Sequence, residues 1–113
     1  MMKIQQTTTF SKQFKKLHKK YNSFKNDFLL LYESLLEKPI QGTKIGENTY
    51  KIRLAISAKQ KGKSSGARII TYLVLSEETL IWAAIYDKSE VGSMSDAEIQ
   101  AILTKHWEDD STI

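Results

Sequence analysis

Cationic side chains that could bind phosphate are concentrated in the middle of the chain. No acidic residue lies between Glu47 and Glu77, and Arg68 begins the apolar run RIITYLV directly after the stretch KQKGKSSGA. Clustered cations bind polyanions because they release counterions condensed on phosphate chains. A solvated lysine-rich surface is the alternative interpretation. The cations of this segment are Lys51, Arg53, Lys59, Lys61, Lys63 and Arg68.

Charge is also divided between the two parts of the chain. Up to Arg68 there are 15 Lys or Arg residues and 4 Asp or Glu residues, whereas the remainder has 2 and 9. The net charge is +4. This asymmetry favours a polyanionic partner for the first part of the chain.

Several classes of site and location are disfavoured by composition. The chain has no cysteine, and its two histidines, His18 and His106, are far apart, so neither a metal site nor another cofactor is expected. No apolar run approaches the roughly 18 residues of a membrane span. The start, MMKIQQTTTF, has no apolar segment of signal-peptide length, so we expect a cytoplasmic protein without membrane contact.

Helical periodicity marks three segments. Phe10, Phe14, Leu17 and Tyr21 recur at spacings of four, three and four, which predicts one helix. A second apolar stripe from residue 24 to 36 ends before Pro39, so the two helices should form a hairpin. Near the end, Ser95 and Glu98 match a capping box that starts a third helix, which has Ile99, Ile102 and Leu103 on its apolar side.

The parts of the chain outside these three helices contain patterns typical of strands. A short strand is predicted in residues 3–8, and further strands in residues 50–56, 67–75 and 80–86, with residues 59–66 as a loop. The short connections imply an antiparallel meander. The prediction is therefore a single α+β domain over residues 1–113, in the order β-α-α-β-β-β-α, with the N-terminal helix hairpin packed on a small antiparallel sheet.

Four features together resemble the RelE/ParE superfamily of toxins from type II toxin–antitoxin modules, and its HigB-like and RelE-like branch most of all. They are the helix hairpin before the sheet, the strand YKIRLAI, the segment GKSSGARIITYLV, and IYDKSEVGSMSDAEI with its Tyr-x-Lys-x-Glu pattern. The resemblance covers nearly the whole chain. It implies a RelE-like fold and a cognate antitoxin protein as partner.

The resemblance also implies an activity, a ribosome-dependent mRNA endoribonuclease that inhibits translation, with the ribosome and mRNA as partners and no metal. Two alternatives stay open: a ParE-like inhibitor of DNA gyrase, and a nucleic-acid-binding module without catalysis. The cations near Arg68 and Lys88 favour the nuclease, because a gyrase inhibitor needs no phosphate-facing cluster.

Three cations are the candidates for catalysis. Arg68 resembles the family arginine that faces the scissile phosphate, and a planar guanidinium suits that task because it binds two oxygens and stays charged. Lys88 matches the lysine of the Tyr-x-Lys-x-Glu pattern, and Arg53 lies on the polar face of its strand. The alternatives are an ion pair of Arg68 with Glu77 or Glu78, an exposed turn lysine and an ordinary sheet-face arginine. The general acid and base stay unassigned.

Other residues are candidates for binding RNA. Lysines on a loop hold charge too loosely for transition-state chemistry but can contact the RNA backbone. Strand tyrosines can stack on bases or relay a proton, and the alternative is a core position with a hydrated hydroxyl. The RNA-binding candidates are Lys59, Lys61, Lys63, Tyr72 and Tyr86.

Overall fold

A computed structural model describes residues 2–60, 62 and 65–111, and for residues 110 and 111 it describes the backbone alone. The described part of the chain forms three helices and five strands, an α+β arrangement as predicted. In chain order these are β1 (Lys3–Gln6), α1 (Thr8–Lys20), α2 (Phe24–Glu37), β2 (Thr43–Gly46), β3 (Thr49–Leu54), β4 (Ala67–Val74), β5 (Thr79–Asp87) and α3 (Asp96–Ser111).

The sheet differs from the prediction in two ways. Its strand order is β1-β5-β4-β3-β2, and β1 runs parallel to β5, so the sheet is mixed and not purely antiparallel. The extra strand β2 forms a hairpin with β3 through Asn48, whose φ of 59° is in the left-handed region that asparagine tolerates. Sequence reasoning missed β2 because Ile45 is its one apolar side chain.

Helices cover both faces of the sheet, and we name each face after the helices that pack on it. On the hairpin face, α1 and α2 pack through an aromatic cluster in which the Trp82 ring lies 5.7 Å from Phe10 and 4.9 Å from Phe28. On the α3 face, Ile99 and Leu103 of α3 belong to the second buried cluster of the sheet.

A β-bulge changes the alternation of β5. Ile70 pairs with Ala84 but Thr71 pairs with Trp82, which leaves Ala83 as an extra residue in β5. Trp82 and Ile85 therefore belong to the hairpin-face core, and Ala83 and Ala84 both lie in the α3-face core.

Side chains cap the starts of α1 and α3. Ser95 accepts a hydrogen bond from the Glu98 N–H (3.2 Å) and Glu98 accepts one from the Ser95 N–H (3.4 Å), which confirms the predicted capping box. At α1, the Thr7 hydroxyl accepts from the Phe10 N–H (2.9 Å) and donates to the Ala83 carbonyl at the bulge (2.7 Å). One buried hydroxyl thus joins the start of α1 to the bulged strand.

Replacing Thr7 by valine should lower the free energy of unfolding by about 1–3 kcal/mol, since an N-cap and a buried hydrogen bond are lost at nearly constant volume. Urea unfolding measures the change. Thr8→Val, at an exposed neighbouring position, is the control and should stay within about 0.5 kcal/mol. Equal effects of the two substitutions would remove the special role of Thr7.

Candidate functional site

Two arginines and a tyrosine lie side by side across three strands of the α3 face. Arg53 of β3 pairs with Arg68 of β4, and Arg68 pairs with Tyr86 of β5. We call these three residues the cationic row. Of the sequence-predicted residues, these are the ones that the sheet register brings together.

The backbone before Arg68 explains the Gly-Ala-Arg sequence. A Cβ atom on Gly66 would lie 2.2 Å from the Leu54 carbonyl oxygen, so β3 and β4 can approach here because residue 66 has no side chain. Ala67 is fully buried. Arg68 is therefore the first residue of β4 that lies on the α3 face.

Burial differs sharply along the row. Arg53 is exposed, whereas Arg68 is 4% exposed, and its guanidinium donates to the Ala67 carbonyl (3.3 Å). Arg68, which by resemblance would face the scissile phosphate, is thus buried in this conformation, and its catalytic role stays a prediction. The alternative with Glu77 or Glu78 does not hold, because those residues lie past the opposite end of β4.

The juxtaposition of Arg53 and Arg68 has an energetic cost. Like charges directly opposite each other on adjacent strands destabilise a sheet. Half-buried Lys51 lies two residues before Arg53 on the same face of β3 and adds positive potential. Positive charge is therefore concentrated at this end of β3 and β4.

Tyr86 lies at the buried end of the row and keeps its proton. Burial raises the pKa of Tyr86, and the positive charge of Arg68 and a hydrogen bond from the Met94 N–H oppose that rise without cancelling it. Because Met94 also packs on the α3-face cluster, the turn after β5 lies over this part of the sheet. A neutral phenol can donate a proton.

Lys88 lies near the row but is engaged with its own turn. Its backbone N–H donates to the Gly66 carbonyl (3.0 Å), and its ammonium donates to the Gly92 carbonyl. The side chain is half-buried. Lys88 therefore continues the β4–β5 ladder past Tyr86 and holds the 88–92 turn closed.

Lys59 does not lie on an open loop, and that expectation is wrong. Its ammonium binds Asp87 (2.6 Å), the Ser65 carbonyl (2.7 Å) and Ser89 (3.0 Å), and its side chain is 10% exposed. It also lies 5.5 Å from the centre of the Tyr21 ring. Lys59 ends a single-turn 3₁₀ helix, Ser57–Lys59, and its ammonium points inward from there. Lys61 and Lys63 lie outside the described residues.

Asp87, the partner of Lys59, is a site that sequence reasoning missed. Its carboxylate accepts hydrogen bonds from Lys59, from the N–H (3.0 Å) and hydroxyl (2.7 Å) of Ser89, and from the Tyr21 hydroxyl (3.1 Å). Burial alone would raise the pKa of Asp87, but these hydrogen bonds outweigh burial and lower the pKa to about 2. We call Asp87, Lys59, Ser89 and Tyr21 the Asp87 cluster.

Tyr72 is not part of the cationic row. Its ring packs edge-on against Trp107 of α3, with centroids 5.4 Å apart. Acidic Glu47 and Asp96 line the same cavity of about 340 Å³. Acidic neighbours repel a nucleic acid, so this position is poorly suited to stacking on RNA bases.

Comparisons with known proteins supply no family for this chain. A scan against protein-family models gives no match, and a search of curated proteins gives none either. No helix within the described residues is long and apolar enough to cross a membrane. The same residues contain no group of three His, Asp or Glu side chains placed to hold a metal ion.

Asp87→Asn should lower the free energy of unfolding at pH 7 by about 3–5 kcal/mol, because it leaves the Lys59 ammonium buried without its counter-charge. The wild-type pKa of about 2 lies below the ordinary 3.8. The ionised Asp87 carboxylate therefore contributes about 2 kcal/mol to the free energy of unfolding. This contribution is present above pH 4 and is lost as the pH falls toward 2. The variant should lack this part of the acid dependence.

Urea unfolding between pH 7 and pH 2 measures both effects. Glu90→Gln is the matched control, because Glu90 pairs with Lys20 at the surface and its side chain is 41% exposed. It should change neither stability nor acid dependence appreciably. An Asp87→Asn protein with wild-type stability and an unchanged acid response would contradict the account of the Asp87 cluster.

Proposed function

We propose that this protein binds RNA at the cationic row and cleaves it there without a metal, as a ribosome-dependent mRNA endoribonuclease and the toxin of a toxin–antitoxin module. The observation that carries the proposal is the cross-strand pairing of Arg53 with Arg68. A phosphodiester is an anion with the right shape for arginine, because the planar guanidinium donates two parallel hydrogen bonds to its oxygens.

The chemistry needs a proton donor beside the cations, and Tyr86 fills that position. In cleavage by an internal nucleophile, the ribose 2′-hydroxyl gives its proton to solvent water and its oxygen attacks the phosphorus, so that a 2′,3′-cyclic phosphate forms and the bond to the 5′-oxygen breaks. We assign the two arginines to the charge that grows on the phosphate oxygens. The protonated Tyr86 hydroxyl is assigned to donate its proton to the departing 5′-oxygen.

The burial of Arg68 imposes a condition on this mechanism. A phosphate arriving at the α3 face meets exposed Arg53 first, and it reaches Arg68 when the turn that carries Met94 shifts away from Tyr86. The ribosome and RNA would drive that shift by binding more tightly to the conformation in which the turn has moved, because a ligand shifts an equilibrium toward the state that it binds better.

The same burial favours a second candidate function, a nucleic-acid-binding module without catalysis. In the conformation described, Arg53 and half-buried Lys51 are accessible and Arg68 is not. Such a surface binds a phosphate chain without placing two arginines on one phosphorus.

The deciding experiment is induction of the protein in cells followed by mapping of mRNA 5′-ends. The proposal predicts new 5′-ends within translated codons. Intact mRNA with a DNA-damage response would instead indicate a gyrase inhibitor. Intact mRNA and intact DNA, with RNA retained by the purified protein, would indicate the non-catalytic module.

Arg68→Lys should reduce cleavage by roughly a hundredfold to a thousandfold, because lysine retains the charge but lacks the planar fork that contacts two phosphate oxygens. The rate of mRNA cleavage on purified ribosomes measures the effect, and circular dichroism verifies the fold. Lys44→Ala, at an exposed position on β2, is the control and should retain full activity. A folded Arg68→Lys protein with a wild-type rate would remove Arg68 from the mechanism.

A further inference from the structure

A groove with aromatic walls opens on the other side of the molecule from the cationic row. Its volume is about 430 Å³, and it is lined by residues of α1, α2 and the end of β1. The two helices cover the hairpin face, so the sheet separates this groove from Arg53 and Arg68. We call it the hairpin groove.

Three phenylalanines line the groove. Phe14 lies 5.9 Å from Phe10 in a stacked arrangement and 4.9 Å from Phe28 in an edge-on arrangement. Phe10 is buried, whereas Phe14 and Phe28 keep part of their surface exposed. The ring of exposed His18 stacks on Phe14, with centroids 6.4 Å apart, and extends the aromatic surface toward solvent.

The remaining lining residues are cationic or neutral. Exposed Lys15 and Lys25 approach from α1 and α2, and Gln6 donates a hydrogen bond to Ser11 (2.7 Å) at one end. All residues that line the groove are therefore apolar, neutral polar or basic. An occupant should combine a flat apolar part with negative charge.

We propose that the hairpin groove binds one unpaired nucleotide of a single-stranded RNA, with the base against the phenylalanines and the flanking phosphates against Lys15 and Lys25. Aromatic walls favour a planar base over an aliphatic side chain, because successive bases stack on such rings irrespective of sequence. The lysines supply the sequence-independent attraction to the backbone. The choice of RNA rests on the proposed function, and the groove gives that function a second RNA contact remote from the cleavage site.

The test uses the full chain and a 2′-O-methyl oligoadenylate, which has no free 2′-hydroxyl and therefore cannot be cleaved. Binding is followed through the NMR signals of the Phe14 and Phe28 rings and through fluorescence anisotropy. The oligoadenylate should bind roughly tenfold more tightly than an abasic oligomer of equal length, because the abasic strand cannot stack. The ring signals should shift with the oligoadenylate and stay in place with the abasic strand.

Two lysine variants separate the groove from general surface charge. Lys15→Ala should lower the slope of log affinity against log salt by roughly 0.7, as expected for one lost contact to a single strand. Lys12→Ala is the matched control, because Lys12 is exposed on the same helix but does not line the groove. Its slope and its ring-signal shifts should match those of the wild type.

Three results would overturn the proposal. Equal affinity for the abasic strand would mean that no base enters the groove, and equal effects of Lys12→Ala and Lys15→Ala would mean that the lysines act as a diffuse surface. Stronger ring-signal shifts with an acidic peptide that displaces the oligoadenylate would identify a protein partner instead. Because the oligoadenylate cannot be cleaved and the ring signals report on the hairpin groove alone, failure of the nuclease proposal is recorded separately.

Discussion

The extra residue at Ala83 decides which side chains meet at the end of β5. In an unbroken strand that has Trp82 on the hairpin face, residues 84 and 86 would share that face and residue 87 would lie on the other. The bulge reverses this order, so Tyr86 lies on the α3 face beside Arg68, and Asp87 lies on the hairpin face. The Thr7 hydroxyl binds the Ala83 carbonyl and ties the bulge to α1.

This reversal keeps a buried carboxylate away from the two arginines. Without it, Asp87 would face the α3 side next to Arg68, where an ion pair would neutralise the site that we assign to phosphate. Instead Asp87 binds Lys59 on the hairpin face, on the other side of the sheet from Arg53 and Arg68. The sheet therefore separates the Asp87–Lys59 ion pair from the cross-strand pair of Arg53 and Arg68, where we propose that an external anion binds.

Sequence patterns were sufficient to predict the structure wherever a single side chain or a hydrophobic periodicity determines it locally. The two helices of the hairpin, the capping box at Ser95 and the three main strands follow from such local signals. The bulge and the inward turn of Lys59 do not, because they depend on contacts with Ala83 and Asp87 that are distant in sequence. The sequence identified Arg53, Arg68 and Tyr86 individually as candidate site residues. Their position side by side in one row follows from the strand register, which the sequence did not predict.

The measurement that tests the central claim most directly is the urea unfolding of wild type and Arg53→Ala, each with and without a non-cleavable single-stranded RNA. If the two arginines are held together for an anion, the variant should be at least as stable as the wild type without RNA, because a like-charge cross-strand pair has been removed. It should also lose the part of the RNA-induced stabilisation that comes from the cationic row, whereas the part that comes from the hairpin groove should remain. A variant that is less stable without RNA, and that RNA stabilises as much as the wild type, would contradict the account.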